Sequence, residues 1–397
     1  MNITFSRRSD YARASEAREM LKYTERPEVI SFAGGLPAPE SFPVKEMTRI
    51  CEAVLSQRGA TALQYGTTEG YRPLLELTVE LMNSNGIQSD PKQVLITCGS
   101  QQGLDLTGKV FIDEGDLIFC ESPSYFAAIN AFRVYMPKFI EIPMDEDGML
   151  VSEVEKLLSS GVKPKFIYTI PDFQNPSGRT MSLERRKRLV ELADKYDILI
   201  IEDNPYGALC FEGERLPAVK HFDRQGRVIY MSTFSKIFSP GLRLAWVCAS
   251  EQIINKYVLF KQAADLHTNM FSQMLAVEFV RSCDLEGHIG RIRELYKKRR
   301  DIMLNAIREE FPTCIKVTNP KGGLFLWVEL PEGMNARELL PKCLEKNVAF
   351  VAGGSSFANG GKENTLRLNF SNMQEDRIVE GIRRIGVVLK EELQLIS

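Results

Sequence analysis

The sequence predicts an α/β protein: a large domain built on a mostly parallel, seven-stranded sheet, followed by a smaller α+β domain. Three observations predict it. Seven short strand-like runs, most of them nearly continuously apolar, punctuate the middle of the chain. Longer amphipathic stretches such as Leu183–Lys195 separate them. After about Asp284 this alternation gives way to one long charged stretch and a few short runs.

The apolar runs are Val94–Cys98, Leu117–Cys120, Lys138–Ile142, Phe166–Ile170, Ile198–Glu202, Val228–Met231 and Leu244–Cys248. Strands covered by helices on both faces read as continuous apolar runs rather than as alternation. Strand and helix patterns in alternation point to a parallel sheet with crossover helices. Beyond Asp284 a helix is expected from about Glu286 to Glu309. Strand-like Leu324–Leu330, a helix over Ala336–Glu345, strand-like Asn347–Val351 and Thr365–Phe370, and a helix from about Glu375 come next. The expected division is an N-terminal helix and arm (1–40), a large domain (41–290) and a small domain (291–397). Near the start, Ala14–Lys22 reads as a helix whose Ala17, Met20 and Leu21 share an apolar face.

Composition excludes several classes. Lys plus Arg total 50 and Asp plus Glu 52, a balance that argues against a general nucleic-acid binder. No apolar run approaches the ~18 residues of a membrane span, and the first residues carry no apolar signal-peptide core. The eight cysteines are scattered, with no C-x-x-C pair. Buried free thiols in a reducing cytoplasm are the expectation. With three histidines, a histidine-rich metal cluster is not expected.

Ligands in open α/β sheets bind beyond the carboxyl ends of the strands. The residues just past the end of each run are therefore informative. Gly99-Ser100-Gln101 opens an apolar helix, which is either a plain helix start or an anion site made of free N–H groups and a hydroxyl. It lacks the dinucleotide and P-loop patterns, so a single phosphate is the expected anion. Asn175-Pro176-Ser177-Gly178 reads on its own as a turn. Asp203 follows a very apolar strand, so its carboxylate is expected to be partly buried and in need of a partner. Lys236 stands among apolar neighbours, with Arg243 close behind it. Desolvation and a nearby guanidinium both lower a lysine pKa, and the neutral amine is the form that attacks a carbonyl. An imine-forming lysine, a buried carboxylate, a phosphate cradle and an aromatic ring at Tyr125 are the groups a pyridoxal phosphate enzyme must supply.

The sequence resembles the fold-type I, class I/II pyridoxal phosphate aminotransferases, and within them the 2-aminoadipate and kynurenine aminotransferase branch. The resemblance spans nearly the whole chain. It runs through Ser31–Pro37, Leu63–Gly66, Gly99–Gln102, Asn175–Gly178, Glu202–Tyr206, Ser235–Arg243, Pro320–Gly323 and Asn364–Leu368.

The resemblance implies roles. Lys236 would form the Schiff base and shuttle the substrate's α-proton. Asp203 would pair with the pyridine nitrogen, and Asn175 and Tyr206 would bond the ring's 3′ oxygen. Tyr125 would stack on the ring. Ser100, Gln101, Thr233, Ser235 and Arg243 would hold the phosphate; Thr233 stands where relatives often carry serine, and its hydroxyl serves equally. Tyr65 would reach the phosphate of a neighbouring subunit, which implies a homodimer. Arg367 would bind the substrate α-carboxylate and Gly35 would line the pocket. Arg18 would meet the distal carboxylate of acidic substrates. By resemblance, Ser122–Pro123 and Asn175–Pro176 are expected to be cis. The expected reaction is transamination between an L-amino acid and a 2-oxo acid such as 2-oxoglutarate. A lyase reaction on the same cofactor is the rival within the fold. A transcriptional regulator is disfavoured, since only ~30 residues precede the matching pattern, too few for a DNA-binding domain and linker.

Overall fold

The computed structural model describes residues 3–14 and 26–396. Arg18, and all of the helix expected over Ala14–Lys22 except Ala14, lie outside the described residues.

The large sheet contains the seven expected strands. They are β1 (Val94–Cys98), β2 (Leu117–Ser122), β3 (Lys138–Asp145), β4 (Phe166–Thr169), β5 (Leu199–Asp203), β6 (Val228–Thr233) and β7 (Leu244–Cys248). Their spatial order is β1-β7-β6-β5-β4-β2-β3, and a two-residue strand, Gly148–Met149, adds an eighth member beside β3. β7 runs antiparallel to both its neighbours; the pairs β6–β5, β5–β4, β4–β2 and β2–β3 are parallel.

Both faces of this sheet are covered, which is why most of its strands carry apolar residues at successive positions. Phe119, Ile167 and Ile200 point to one face, packed with Val154, Leu189 and Leu192 from helices Val151–Ser159 and Leu183–Tyr196. The alternate residues Cys120, Tyr168 and Ile201 belong to the other, larger core, with Leu104 and Phe132 from helices Ser100–Phe111 and Phe126–Arg133.

Helix Leu285–Glu310 crosses residue 290 without a break, so the division expected there falls inside a continuous element. It packs against the last helix, Glu375–Ile396. Strands Phe325–Glu329 and Thr365–Asn369 pair antiparallel at the centre of a second, four-stranded sheet. The single strand expected over Asn347–Val351 is two. Val348–Ala349 pairs with Ile30–Ser31, whereas Val351–Ala352 joins the four-stranded sheet. Phe350 between them is fully buried, and the chain changes sheet there. No cysteine is paired, but the expectation of burial holds only for Cys120, Cys248 and Cys343; Cys98 and Cys314 are exposed. Cys98 is the last residue of β1 and Cys314 lies in a turn, and both positions open onto the surface.

Candidate active site

The topology brings the functional side chains to one sheet edge. β1, β2, β4, β5 and β6 all end there. β7 runs the other way, so its beginning lies at that edge: Leu244 pairs with Cys98 and Ala245 with Thr233. Arg243, which precedes β7, thus arrives beside residues that follow β1 and β6. A cavity of about 810 Å³ opens at this edge. Ser100, Gln101, Tyr125, Asn175, Asp203 and Tyr206 line it, as do Thr233, Ser235, Lys236, Arg243, Gly35 and Arg367. The structure therefore assembles every expected site residue except two. Tyr65 is 77% exposed and does not line the cavity. Arg18 is outside the described residues.

One wall is cationic. Helix Ser100–Phe111 begins here after Gly99, whose φ of +76° is unfavourable for any side chain. A Cβ at Gly99 would also collide with Arg243 Nη2. Glycine thus lets the guanidinium lie against the helix N-terminus. Ser100 Oγ is buried with no hydrogen-bond partner. Thr233 Oγ1 and Ser235 Oγ sit 2.9 Å apart nearby. Free amides, hydroxyls and an arginine at a positive helix end form an anion site.

The floor is a buried carboxylate. Asp203 ends β5, 2% exposed. Its Oδ2 accepts from Tyr168 Oη at 2.9 Å, while its Oδ1 is buried without a partner. Burial pushes its pKa up to about 6, against the hydrogen bond from Tyr168. Beside it, Asn175 Nδ2 and Tyr206 Oη are 3.5 Å apart. The peptide bonds Ser122–Pro123 and Asn175–Pro176 are both cis, as expected. Buried Gln174 ties these two turns together, donating from Nε2 to Glu121 at 2.9 Å and to Pro123 O at 2.7 Å.

Lys236 Nζ donates to Gly35 O at 2.8 Å and has no carboxylate partner among the described residues. Burial, then Arg367 and Arg243, lower its pKa to about 8. Arg367, on strand Thr365–Asn369, is 2% exposed. Its Nη1 donates to Asn175 Oδ1 at 2.8 Å and its Nη2 to Ala33 O at 2.7 Å. Its guanidinium lies 4.2 Å from the Phe325 ring centroid, and Nε is unpartnered. Burial lowers its pKa to about 10. A desolvated guanidinium without a carboxylate is costly to keep, so the site is built for an anionic ligand.

The aminotransferase class I and II family model matches residues 30–385. The chain belongs to that family. This aminotransferase is 47% identical over 395 residues to aromatic-amino-acid aminotransferase 1 of Thermococcus litoralis, covering 98% of this chain and 95% of that one. It is 44% identical over 395 residues to the 2-aminoadipate transaminase of Thermus thermophilus, with 99% and 98% covered. Among solved structures, Pyrococcus horikoshii kynurenine aminotransferase in complex with PMP superposes with a TM-score of 0.93 at 45% identity, covering 98% and 97% of the two chains.

Sequence reasoning missed several groups at the aminotransferase site. Phe325 and Phe126 flank Arg367. Arg13, on the N-terminal segment, lines the cavity. Tyr168 stands behind Asp203, and its place inside an apolar strand reads as core. A polar tip in a strand two positions short of its end is the one signal that could have marked it.

Proposed function

We propose that this aminotransferase moves the amino group of an L-amino acid to a 2-oxo acid, 2-oxoglutarate being the proposed acceptor, in two half-reactions on pyridoxal phosphate. The carrying observation is one cavity lined by a lysine, a buried, half-satisfied carboxylate and a buried arginine, neither the lysine nor the arginine having a carboxylate partner among the described residues. The residues fit the cofactor. Ser100 Oγ and Asp203 Oδ1 are buried without partners and their residues line the cavity, which supports their use as partners for a phosphate and a ring nitrogen. When bound, the cofactor supplies a conjugated electron sink for the charge left at the substrate α-carbon.

The chain's residues then divide the work. Ser100, the Gln101 backbone, Thr233, Ser235 and Arg243 hold the phosphate. Tyr125 packs on the ring. Asp203 keeps the ring nitrogen protonated by charge pairing, and Asn175 and Tyr206 orient the 3′ oxygen. Lys236 would hold the cofactor through its amine and would serve as the base that takes the proton from the substrate α-carbon. Arg367 holds the α-carboxylate, and Gly35 leaves room for the substrate.

The deciding experiment withholds the acceptor. Amino acid alone should give a single stoichiometric conversion of the bound cofactor, and added 2-oxo acid should restore it. Continuous turnover without acceptor would instead indicate a lyase.

Arg367→Lys should lower kcat/KM for all amino donors by about 10–100-fold, because an ammonium cannot replace the two-pronged hydrogen bonds to a carboxylate. Steady-state kinetics with one acidic and one apolar donor checks this; unchanged values would remove Arg367 from the substrate site.

Substrate preference belongs to the same proposal. The three relatives act, by their names, on aromatic amino acids, 2-aminoadipate and kynurenine. Branched-chain donors are a further candidate. For Arg18, Arg18→Ala should cost about 10–100-fold in kcat/KM with 2-aminoadipate or glutamate, the loss of one charge-assisted pair, and much less with leucine or phenylalanine. Equal losses would make Arg18 structural, and no loss would make it a solvent residue.

We further propose a homodimer in which Tyr65 completes the partner's phosphate site. Leu63, Tyr65 and Leu266 are exposed apolar residues, and the Tyr65 ring meets His267 edge-on at 5.8 Å. Cytoplasmic location is part of the proposal, supported by eight unpaired cysteines. Among the described residues no helix is long and apolar enough to cross a membrane.

A further inference from the structure

Tyr168 and Asp203 lie on neighbouring parallel strands. Tyr168 pairs with Ile201, so the two side chains share a face of the sheet. Asp203 is two residues beyond Ile201 and returns to the same face. A tyrosine is long enough to span that diagonal. The ring is 1% exposed and packs edge-on against Phe132 at 5.6 Å, so the position of its hydroxyl is set by the core. That hydroxyl donates to Asp203 Oδ2 at 2.9 Å. Asp203 forms no ion pair among the described residues, and this is its one hydrogen bond from a side chain. Phenylalanine would fill the same space, and a buried hydroxyl is costly unless it is bonded.

We propose that Tyr168 is a positioning residue for the cofactor: its hydroxyl holds Asp203 as the carboxylate and fixes Oδ2, leaving Oδ1 for the ring nitrogen. The inference rests on the proposed pairing of Asp203 with that nitrogen. It assigns the hydroxyl an electrostatic duty. A hydrogen bond to the ionised carboxylate opposes the effect of burial, which favours the neutral acid. Without it the carboxyl would protonate at higher pH, and a protonated Asp203 cannot charge-pair with a pyridinium.

The test measures pyridoxal phosphate affinity from pH 5 to 9 in a Lys236→Ala background, where binding is reversible. Affinity should fall as pH drops through the titration of Asp203; the buried Glu121 carboxyl, raised to about 7 by burial, and the hydroxyl of Tyr206 also face Asp203, and both are retained in every variant. Tyr168→Phe should move the midpoint of that fall upward by about one unit, a tenfold change in the protonation constant. Replacing Tyr168 by 3-fluorotyrosine, a stronger donor of nearly the same shape, should move it downward. The cofactor's own titrations are common to all variants and cancel in the comparison. In an Asp203→Asn background, Tyr168→Phe should have no further effect, since coupling requires the carboxylate. Midpoints unchanged in both Tyr168 variants, or equal losses with and without the carboxylate, would make Tyr168 a packing residue and overturn the proposal. An Asp203→Asn variant that keeps both the parent's affinity and its fall at low pH would instead overturn the role of Asp203 itself.

Discussion

Lys236→Ala is expected to lower transamination by at least roughly 10³-fold while leaving a protein that still binds pyridoxal phosphate. On the proposed roles two functions would be lost together: the amine that joins the cofactor and the base that moves the α-proton, the latter alone contributing about 10²–10⁴-fold. Binding survives because the helix start at Ser100, the hydroxyls of Thr233 and Ser235, and Arg243 do not depend on Lys236. The variant should therefore retain cofactor through dialysis better than it retains activity, and should lack the absorption band of lysine-bound cofactor. Wild-type behaviour has a pH signature. With its pKa lowered from 10.5 to about 8, Lys236 is neutral in quantity above pH 8 rather than above 10. The rate at which cofactor-free protein captures pyridoxal phosphate should rise with pH through about 8 and then level off, and Lys236→Ala should lack this step. Stopped-flow absorbance reads both. Normal turnover in Lys236→Ala would end the assignment.

Asp203→Ala is expected to cost roughly 10²–10³-fold in turnover, in line with the ~3–5 kcal/mol lost when one member of a buried charge pair is removed. The loss should fall more on turnover than on cofactor retention, since the phosphate cradle lies on other strand ends. Asp203→Glu should restore little, because the carboxylate is placed by Tyr168 and by the end of β5 rather than by its charge alone. A loss below about tenfold, ~1.4 kcal/mol, would remove Asp203 from the ring nitrogen. Single-turnover rates with amino acid, set beside cofactor dissociation constants, separate the two effects.

Much of this was legible in the residues. Strands covered on both faces tend to be apolar at successive positions, so seven short runs, most of them nearly continuous, mark the sheet before any contact is known. Chain reversal at strand ends needs turn residues, and a cofactor site at those ends needs polar ones, so Asp203, Asn175 and Lys236 stood out against the runs that precede them. Local sequence also marked the helix start at Gly99-Ser100, since a helix N-terminus leaves free N–H groups whatever surrounds it.

Other features depend on which strands become neighbours. The rule of reading beyond each strand's carboxyl end does not select Arg243, which precedes β7. It reaches the site because β7 runs antiparallel between β1 and β6. Arg367 is brought from a second sheet to within 2.8 Å of Asn175, a separation of 192 residues that no local pattern encodes. Asn347–Val351 looked like one strand because apolarity reports burial, and both of the sheets it joins are buried. Tyr168, inside an apolar run, reads as core and is core. Its hydroxyl acquires a task only through the register that sets Ile201 beside it and Asp203 two residues on. The sequence by itself determined the sheet, its polar strand ends and the chemistry those ends can perform, because each arises from local polarity and backbone geometry. The tertiary structure alone decided which of these groups meet and which are stripped of water, because strand order, direction and register are set by packing across the whole chain.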